Sequence, residues 1–415
     1  RETPSVTVCY RLMDQAQDHV KTALVLPGGG ARGAFQVGVL KAIAELLPRR
    51  APNPFPIISG TSAGAVNSIV LGTRARNLRT AVAELERVWA NFRCHHVYRT
   101  DHLTMLKSSL RWMASLVLGG WLVGMPNSLL DNTPLRELLS RNVHVPRVRN
   151  AIEAGHLDAL AVTAAGYGSA RSTTFFEARP DRLGWERTRR VGVNTDLGLD
   201  HLMASIAVPY VFPPTRIGNE YFGDGAMRQA TPLCPALHLG ADRILVIGIR
   251  DETGGLEIDA GDSPPSFAQI AGYMLDTLFM DGLYTDLERI TRINELLDVL
   301  PEQTLWIGER EMRPIDTMLI VPSQDLRMIA EKHRAELPFA IRALLRSVGG
   351  NTPGENKLLS FLLFEQAYTR ELIKLGYEDA MRVKDELRDF VSGAAVPRLY
   401  APAWVKRDLS GFNPD

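Results

Sequence analysis

The glycines of "VLPGGGARGAF" (residues 25–35) follow an apolar run and open a helical pattern, which gathers backbone N–H groups at a helix N-terminus. Such a turn serves negative charge, either a bound phosphate or an oxyanion formed during a reaction. Gly28, Gly30 and Gly33 satisfy the G-x-G-x-x-G spacing of dinucleotide-binding turns. That chemistry also needs a carboxylate near the end of the second strand to hold the ribose hydroxyls. Here the second strand ends in Ser59, Gly60, Thr61 and Ser62, with no carboxylate. What stands there instead is "GTSAG" (60–64), a G-x-S-x-G elbow. In such an elbow Ser62 is held on a strained strand-to-helix turn, and Gly60 and Gly64 let strand and helix pass close to it. A presented hydroxyl beside an anion turn points to a nucleophile, while a small-residue turn with an ordinary serine fits the same five residues.

A nucleophilic serine needs a base. After residue 224 only two histidines remain. His238, in "PALHLGADRILVIGI", falls at the end of a helix before a strand, and His333 falls in a charged helix; both read as surface or cap histidines. Asp224 lies between Gly223 and Gly225 directly after "NEYF", in a tight turn at a strand end where a carboxylate can approach another element closely. A turn aspartate that bonds its own backbone fits the same residues.

"GGGARG" (28–33), "GTSAG" (60–64) and "DGA" (224–226), in this order, resemble the three signature blocks of the patatin-like phospholipases of bacterial type. "ASIAVPYVFPPTRI" resembles the proline-containing segment that precedes the third block, and the likeness is firm over residues 22–250. The resemblance implies a Ser-Asp dyad without histidine. Ser62 would be the nucleophile and Asp224 the general base, with the amides of Gly28, Gly29 and Gly30, aided by Arg32, as oxyanion hole and Gly33, Gly60, Gly64 and Gly225 as supporting positions. It implies no metal and no cofactor. Two departures stand out: the third block ends in Ala226 where many members have a second glycine, and Pro27 precedes the glycines. Neither removes an amide from the turn.

These residues need elements to hold them. "TALVLP" (22–27) and "FPIIS" (55–59) read as buried strands, with "GTSAG" as a tight turn between the second and the helix "AVNSIVLG". "AFQVGVLKAIAELLP" (34–48) is a helix stopped by Pro48. The opening is therefore βαβα, the start of a parallel sheet. Further strands are expected at 157–165, 171–177, 241–249 and 316–321, with 251–266 as a polar loop, and the chain after about 265 is mainly helical. The fold class is α/β: a three-layer α/β/α, patatin-like fold with a central, mostly parallel sheet and a helical C-terminal part. The expected division is an acyl hydrolase domain over 20–325 and a helical extension over 326–415 that packs on or caps it.

Forty-seven basic residues balance forty-seven acidic ones, which gives no reason to expect nucleic acid as a partner. Cys9, Cys94 and Cys234 are too few and too dispersed for a disulfide framework, which fits a reducing, cytoplasmic setting. The chain begins at Arg1, which leaves a removed targeting segment open. "CHH" (94–96) with His102 does not match zinc-ligand spacing. "WMASLVLGGWLVGM" (112–125) is shorter than the roughly 20 residues of a bilayer span. Its tryptophans and the preceding "KSSLR" suit either a buried core or a segment resting on a membrane or micelle interface. The expected function is a lipid or phospholipid acyl hydrolase, cytoplasmic or peripheral at a membrane. A short-chain esterase or thioesterase, and a catalytically silent lipid-binding protein, are the other readings.

Overall fold

Two fully buried five-residue strands, β1 (Thr22–Leu26) and β2 (Ile57–Thr61), lie parallel with Leu26 opposite Gly60, so the glycine turn and the serine elbow leave the sheet at the same edge. The structure is a computed structural model, and it describes residues 20–99, 128–250, 267–300, 306–307, 310–339, 341–343, 345 and 353–410. The polar loop expected at 251–266 and the tryptophan-containing run 112–125 lie outside the described residues.

From β1 the chain enters α1 (Gly33–Leu46), which ends before Pro48 because the residue preceding proline is pushed to an extended conformation, as Leu47 is. From β2 it enters α2 (Ala63–Thr73), and α3 (Leu78–Trp89) follows. Next come β3 (Ala159–Gly166), β4 (Ser172–Ala178), β5 (Trp185–Arg187), β6 (Arg190–Asn194) and α4 (Leu199–Ser205). The chain continues through β7 (Thr215–Ile217), β8 (Glu220–Asp224), α5 (Cys234–His238), β9 (Arg243–Ile247), the long α6 (Phe267–Val299) and β10 (Asp316–Ile320). α7 (Pro353–Leu362), α8 (Gln366–Arg382) and β11 (Leu399–Tyr400) follow. The strand order is β11-β10-β9-β1-β2-β3-β4-β6-β5, with the β7–β8 hairpin pairing to the end of β3. From β11 to β3 every neighbour is parallel, and antiparallel pairs enter at β3–β4, β3–β8, β5–β6 and β7–β8.

The continuous apolar runs of the central strands are explained by burial on both faces. Leu24, Leu26 and Ile58 point into one core with Phe35 and Leu40 of α1 and Ile69 of α2. Ala23, Val25 and Ile57 point into the opposite core with Leu283 and Leu287 of α6. That alternation makes the three layers. α8 lies across α1 at backbone contact: a Cβ on Gly38 would sit 2.0 Å from the Ile373 carbonyl oxygen, and one on Gly376 would sit 2.2 Å from that of Phe35.

Two features differ from the sequence expectation. β2 runs two residues further than 59, through Thr61, because it is paired on both sides, with β1 and as far as Thr163 of β3. The turn is thereby reduced to Ser62 alone. The short strands β5 to β7 were not anticipated, because they are only partly buried and carry no apolar run of their own, whereas β8 is the strand expected to end at Asp224. Among the described residues no helix is long and apolar enough to cross a membrane.

Candidate active site

Ser62 occupies the step between β2 and α2 with φ 53° and ψ −125°, a left-handed backbone that is strained for any residue with a Cβ. The strain is tolerated because both flanks are over-determined. A Cβ on Gly60 would lie 2.4 Å from the Gly64 carbonyl oxygen, and one on Gly64 would lie 1.9 Å from that of Leu26, so strand, elbow and helix touch through backbone. Ser62 is 3% exposed, its N–H donates to Ser205 Oγ at 2.9 Å, and its carbonyl accepts from the Ala65 N–H.

The glycine turn comes up against the serine. A Cβ on Gly28 would be 2.8 Å from the Ser62 Cβ and 2.7 Å from the Phe279 ring, and Gly30 has φ +54° with the Phe361 carbonyl closing over it. Neither the Gly28 nor the Gly29 N–H meets an acceptor among the described residues. Gly33, at the start of α1, packs 3.0 Å from the Ala63 Cβ by the same measure, which brings the N-termini of α1 and α2 together. Arg32 is buried at 2% exposure. Its guanidinium donates twice to Ser360 Oγ, at 2.9 and 2.7 Å, lies 3.5 Å from Asp276 and stacks 4.0 Å above Phe361. It is engaged on the α6 and α7 side of the turn.

Asp224 is the last residue of β8, opposite Ala164 of β3, and is 1% exposed. Its N–H donates to the Ala207 carbonyl at 2.8 Å, and its Oδ1 accepts from the Ala226 N–H at 2.9 Å in the turn that continues through Gly225. Oδ2 is buried with no hydrogen-bond partner among the described residues. Burial pushes the carboxyl from 3.8 up to about 7, while the Ser62 hydroxyl and the Ala226 N–H pull it back down. The Ser62 hydroxyl is thus close enough to Asp224 to favour its charged form. Tyr167 is the neighbour whose own ionisation is opposed by Asp224, its pKa being raised by burial first and by that charge second. With a pKa of about 7 the Asp224 carboxyl is partly ionised near neutral pH, and its carboxylate is the form that can take a proton from a hydroxyl.

Ser62 opens onto a cavity walled by Trp89, Phe92, Phe212, Phe279 and Phe361, a lining almost wholly apolar. The two candidate histidines are occupied elsewhere. His238 stacks on Trp185 with centroids 4.7 Å apart, and His333 at the end of its helix is held between Glu336 and Glu371. Cys94 is buried, which pushes its thiol upward, and the His95 and His96 rings contact each other. Among the described residues no group of three or more His, Cys, Asp or Glu is placed to hold a metal ion.

The sequence reading missed Ser205, Thr163 and Gln229. Ser205 Oγ donates to the Thr163 carbonyl, and Gln229 bridges the hydroxyls of Thr61 and Thr163 behind the elbow. Isolated polar residues in a helix, a strand and a loop carry no local pattern of their own.

A family model described as patatin-like phospholipase matches residues 24–237. A cGAMP-activated phospholipase of Pseudomonas aeruginosa is 26% identical over 215 residues, 52% of this chain and 55% of that protein. A triacylglycerol lipase of Arabidopsis thaliana is 47% identical over 57 residues, 13% of this chain and 6% of that protein. The chain thus spans about half the length of one curated relative and a small part of the other. Among solved structures, VipD from Legionella pneumophila aligns with a TM-score of 0.34 and 15% identity over 88% of this chain and 67% of that one.

Proposed function

Because the chain belongs to the patatin-like phospholipase family, we propose that it hydrolyses carboxylic esters of lipids with Ser62 as nucleophile and Asp224 as general base. The observation that carries this reading is the meeting of a strained, nearly buried serine with a buried carboxyl whose Oδ2 is unengaged among the described residues. As Ser62 Oγ attacks the ester carbonyl carbon, Asp224 takes its proton, and the carbonyl oxygen becomes an oxyanion at the amides of Gly28, Gly29 and Gly30. Each well-aimed donor contributes roughly 10²–10³-fold to such a step. Collapse expels the alcohol, which leaves with the proton from Asp224, and the acyl group stays on Ser62. Water then attacks the acyl-enzyme, gives its proton to Asp224, and releases the fatty acid with Ser62 restored. Arg32 serves by pinning the glycine turn to α6 and α7, its donors being directed at Ser360 and Asp276. The steps use no cofactor.

The apolar cavity at Ser62 suits an acyl chain, which favours lipid over short-chain substrates. The names of the Pseudomonas and Arabidopsis relatives point the same way. The contact with lipid is proposed as peripheral, at a membrane or micelle surface. The residues after about 325 are proposed to cap the site, since Phe361 walls the cavity and α8 covers α1. A serine-directed fluorophosphonate tests the reading against a silent lipid-binding protein. The expected result is a single covalent adduct on Ser62 by peptide mass spectrometry, lost in Ser62→Ala; an unlabelled protein would overturn it.

A further inference from the structure

The two halves of the proposed dyad arrive on different strands, Ser62 at the end of β2 and Asp224 at the end of β8, and both are tied to one short stretch of chain. Ser205, the last residue of α4, is fully buried. Its Oγ accepts the Ser62 N–H at 2.9 Å and donates to the Thr163 carbonyl at 2.7 Å. Two residues on, the Ala207 carbonyl accepts the Asp224 N–H at 2.8 Å. Thr163 and Ala164 of β3 complete the frame, since Ala164 lies opposite Asp224 in the sheet and a Cβ on Gly225 would strike the Thr163 carbonyl at 2.2 Å.

We infer that Ser205 is a positioning residue for the hydrolysis: its hydroxyl locks the strained Ser62 backbone to β3 and so sets the distance between the Ser62 hydroxyl and Asp224. A hydroxyl is the group that can do this, being acceptor to one backbone and donor to the other at once. The bond also commits the Ser62 amide, which leaves the oxyanion to the glycine turn. Without the lock, the left-handed conformation at Ser62 loses its side-chain tether, and relaxation toward a commoner backbone swings Oγ away from the carboxylate. Displacement of a reacting group by about 1 Å costs on the order of 10²-fold in rate.

The inference rests on the Ser62 and Asp224 reading, and the experiment separates the two. Parent, Ser62→Ala, Ser205→Ala and Ser205→Cys proteins are compared for kcat and KM on a long-chain ester, for the pH dependence of kcat/KM, and for melting temperature. If the parent has no esterase activity, or Ser62→Ala keeps it, the dyad itself fails before Ser205 is considered. With the dyad standing, Ser205→Ala lowers kcat by about 10- to 100-fold while KM stays within about threefold, because apolar chain binding is untouched. Cysteine, close in size but a weak acceptor, reproduces the loss and covers the case in which the alanine protein does not fold. The acid limb of the pH profile also moves to higher pH, since Asp224 loses the Ser62 hydroxyl that favours its charged form, with Tyr167 as its other titratable neighbour. A purely structural hydroxyl would lower the melting temperature and leave that limb in place. That outcome, or a kcat within about threefold of the parent in both variants, overturns the inference.

Discussion

Asp224 carries the sharpest consequence of burial. A carboxyl held near 7 is protonated in the folded chain at pH values where the unfolded chain, at about 3.8, has released its proton. The folded state therefore binds more protons between about pH 4 and 7, and stability from this group is present below that window and lost as pH rises through it. At about 1.4 kcal/mol per pKa unit the penalty reaches a few kcal/mol at pH 8. Asp224→Asn, neutral at every pH, should therefore melt at a higher temperature than the parent at pH 8, with the difference vanishing toward pH 4 in scanning calorimetry. With Asp224 as the proposed general base the same ionisation precedes catalysis, so kcat/KM of the parent should rise with pH along an acid limb near 7. A carboxylate left this costly to ionise is what a functional site retains at the expense of stability.

At the scale of elements, the site is three helix and turn starts brought to one sheet edge. α1 holds the glycine turn, α2 holds the elbow and the β3–β8 pairing holds the acid, so any displacement of α1 moves donors away from Ser62. What fixes α1 from outside is α8, and the two meet where Gly38 and Gly376 allow backbone contact. A large side chain at Gly376 has no room against the Phe35 carbonyl, which no rotamer change can move. Gly376→Leu should cost about 3 kcal/mol and lower ester hydrolysis with it. Lys374→Leu, on the exposed face of the same helix and paired among the described residues only with Glu378, should change stability by no more than about 0.5 kcal/mol. Chemical denaturation of the two variants side by side checks the contrast.

Across the whole molecule, what was legible in the sequence was local. "GGGARG" and "GTSAG" each announce a turn through residues a few positions apart, and the apolar runs around them announce buried strands, so the central β1–β2 pair and its two helices followed from pattern alone. Asp224 was legible because glycines flank it. The frame around them was not. Ser205 meets Ser62 across 143 residues, and Arg32 meets Ser360 across 328, and neither separation leaves a trace in spacing. β5 to β7 were missed because strands of three to five residues, half-exposed, are stabilised by pairing rather than by their own hydrophobic pattern. The histidines were weighed by chain position; Trp185 for His238 and Glu371 for His333 are distant contacts of the same kind, whereas Glu336 is a local partner of His333 three residues on. The central claim is that ester hydrolysis runs on Ser62 and Asp224 with no histidine in the relay. The most direct test is kcat/KM on one long-chain ester for Ser62→Ala, Asp224→Asn, His238→Ala and His333→Ala, each confirmed as folded. The account predicts losses of about 10³-fold or more for the first two and activity within about threefold of the parent for the histidine variants. Activity within about tenfold of the parent in Ser62→Ala, or a histidine variant as damaged as the serine one, would contradict it.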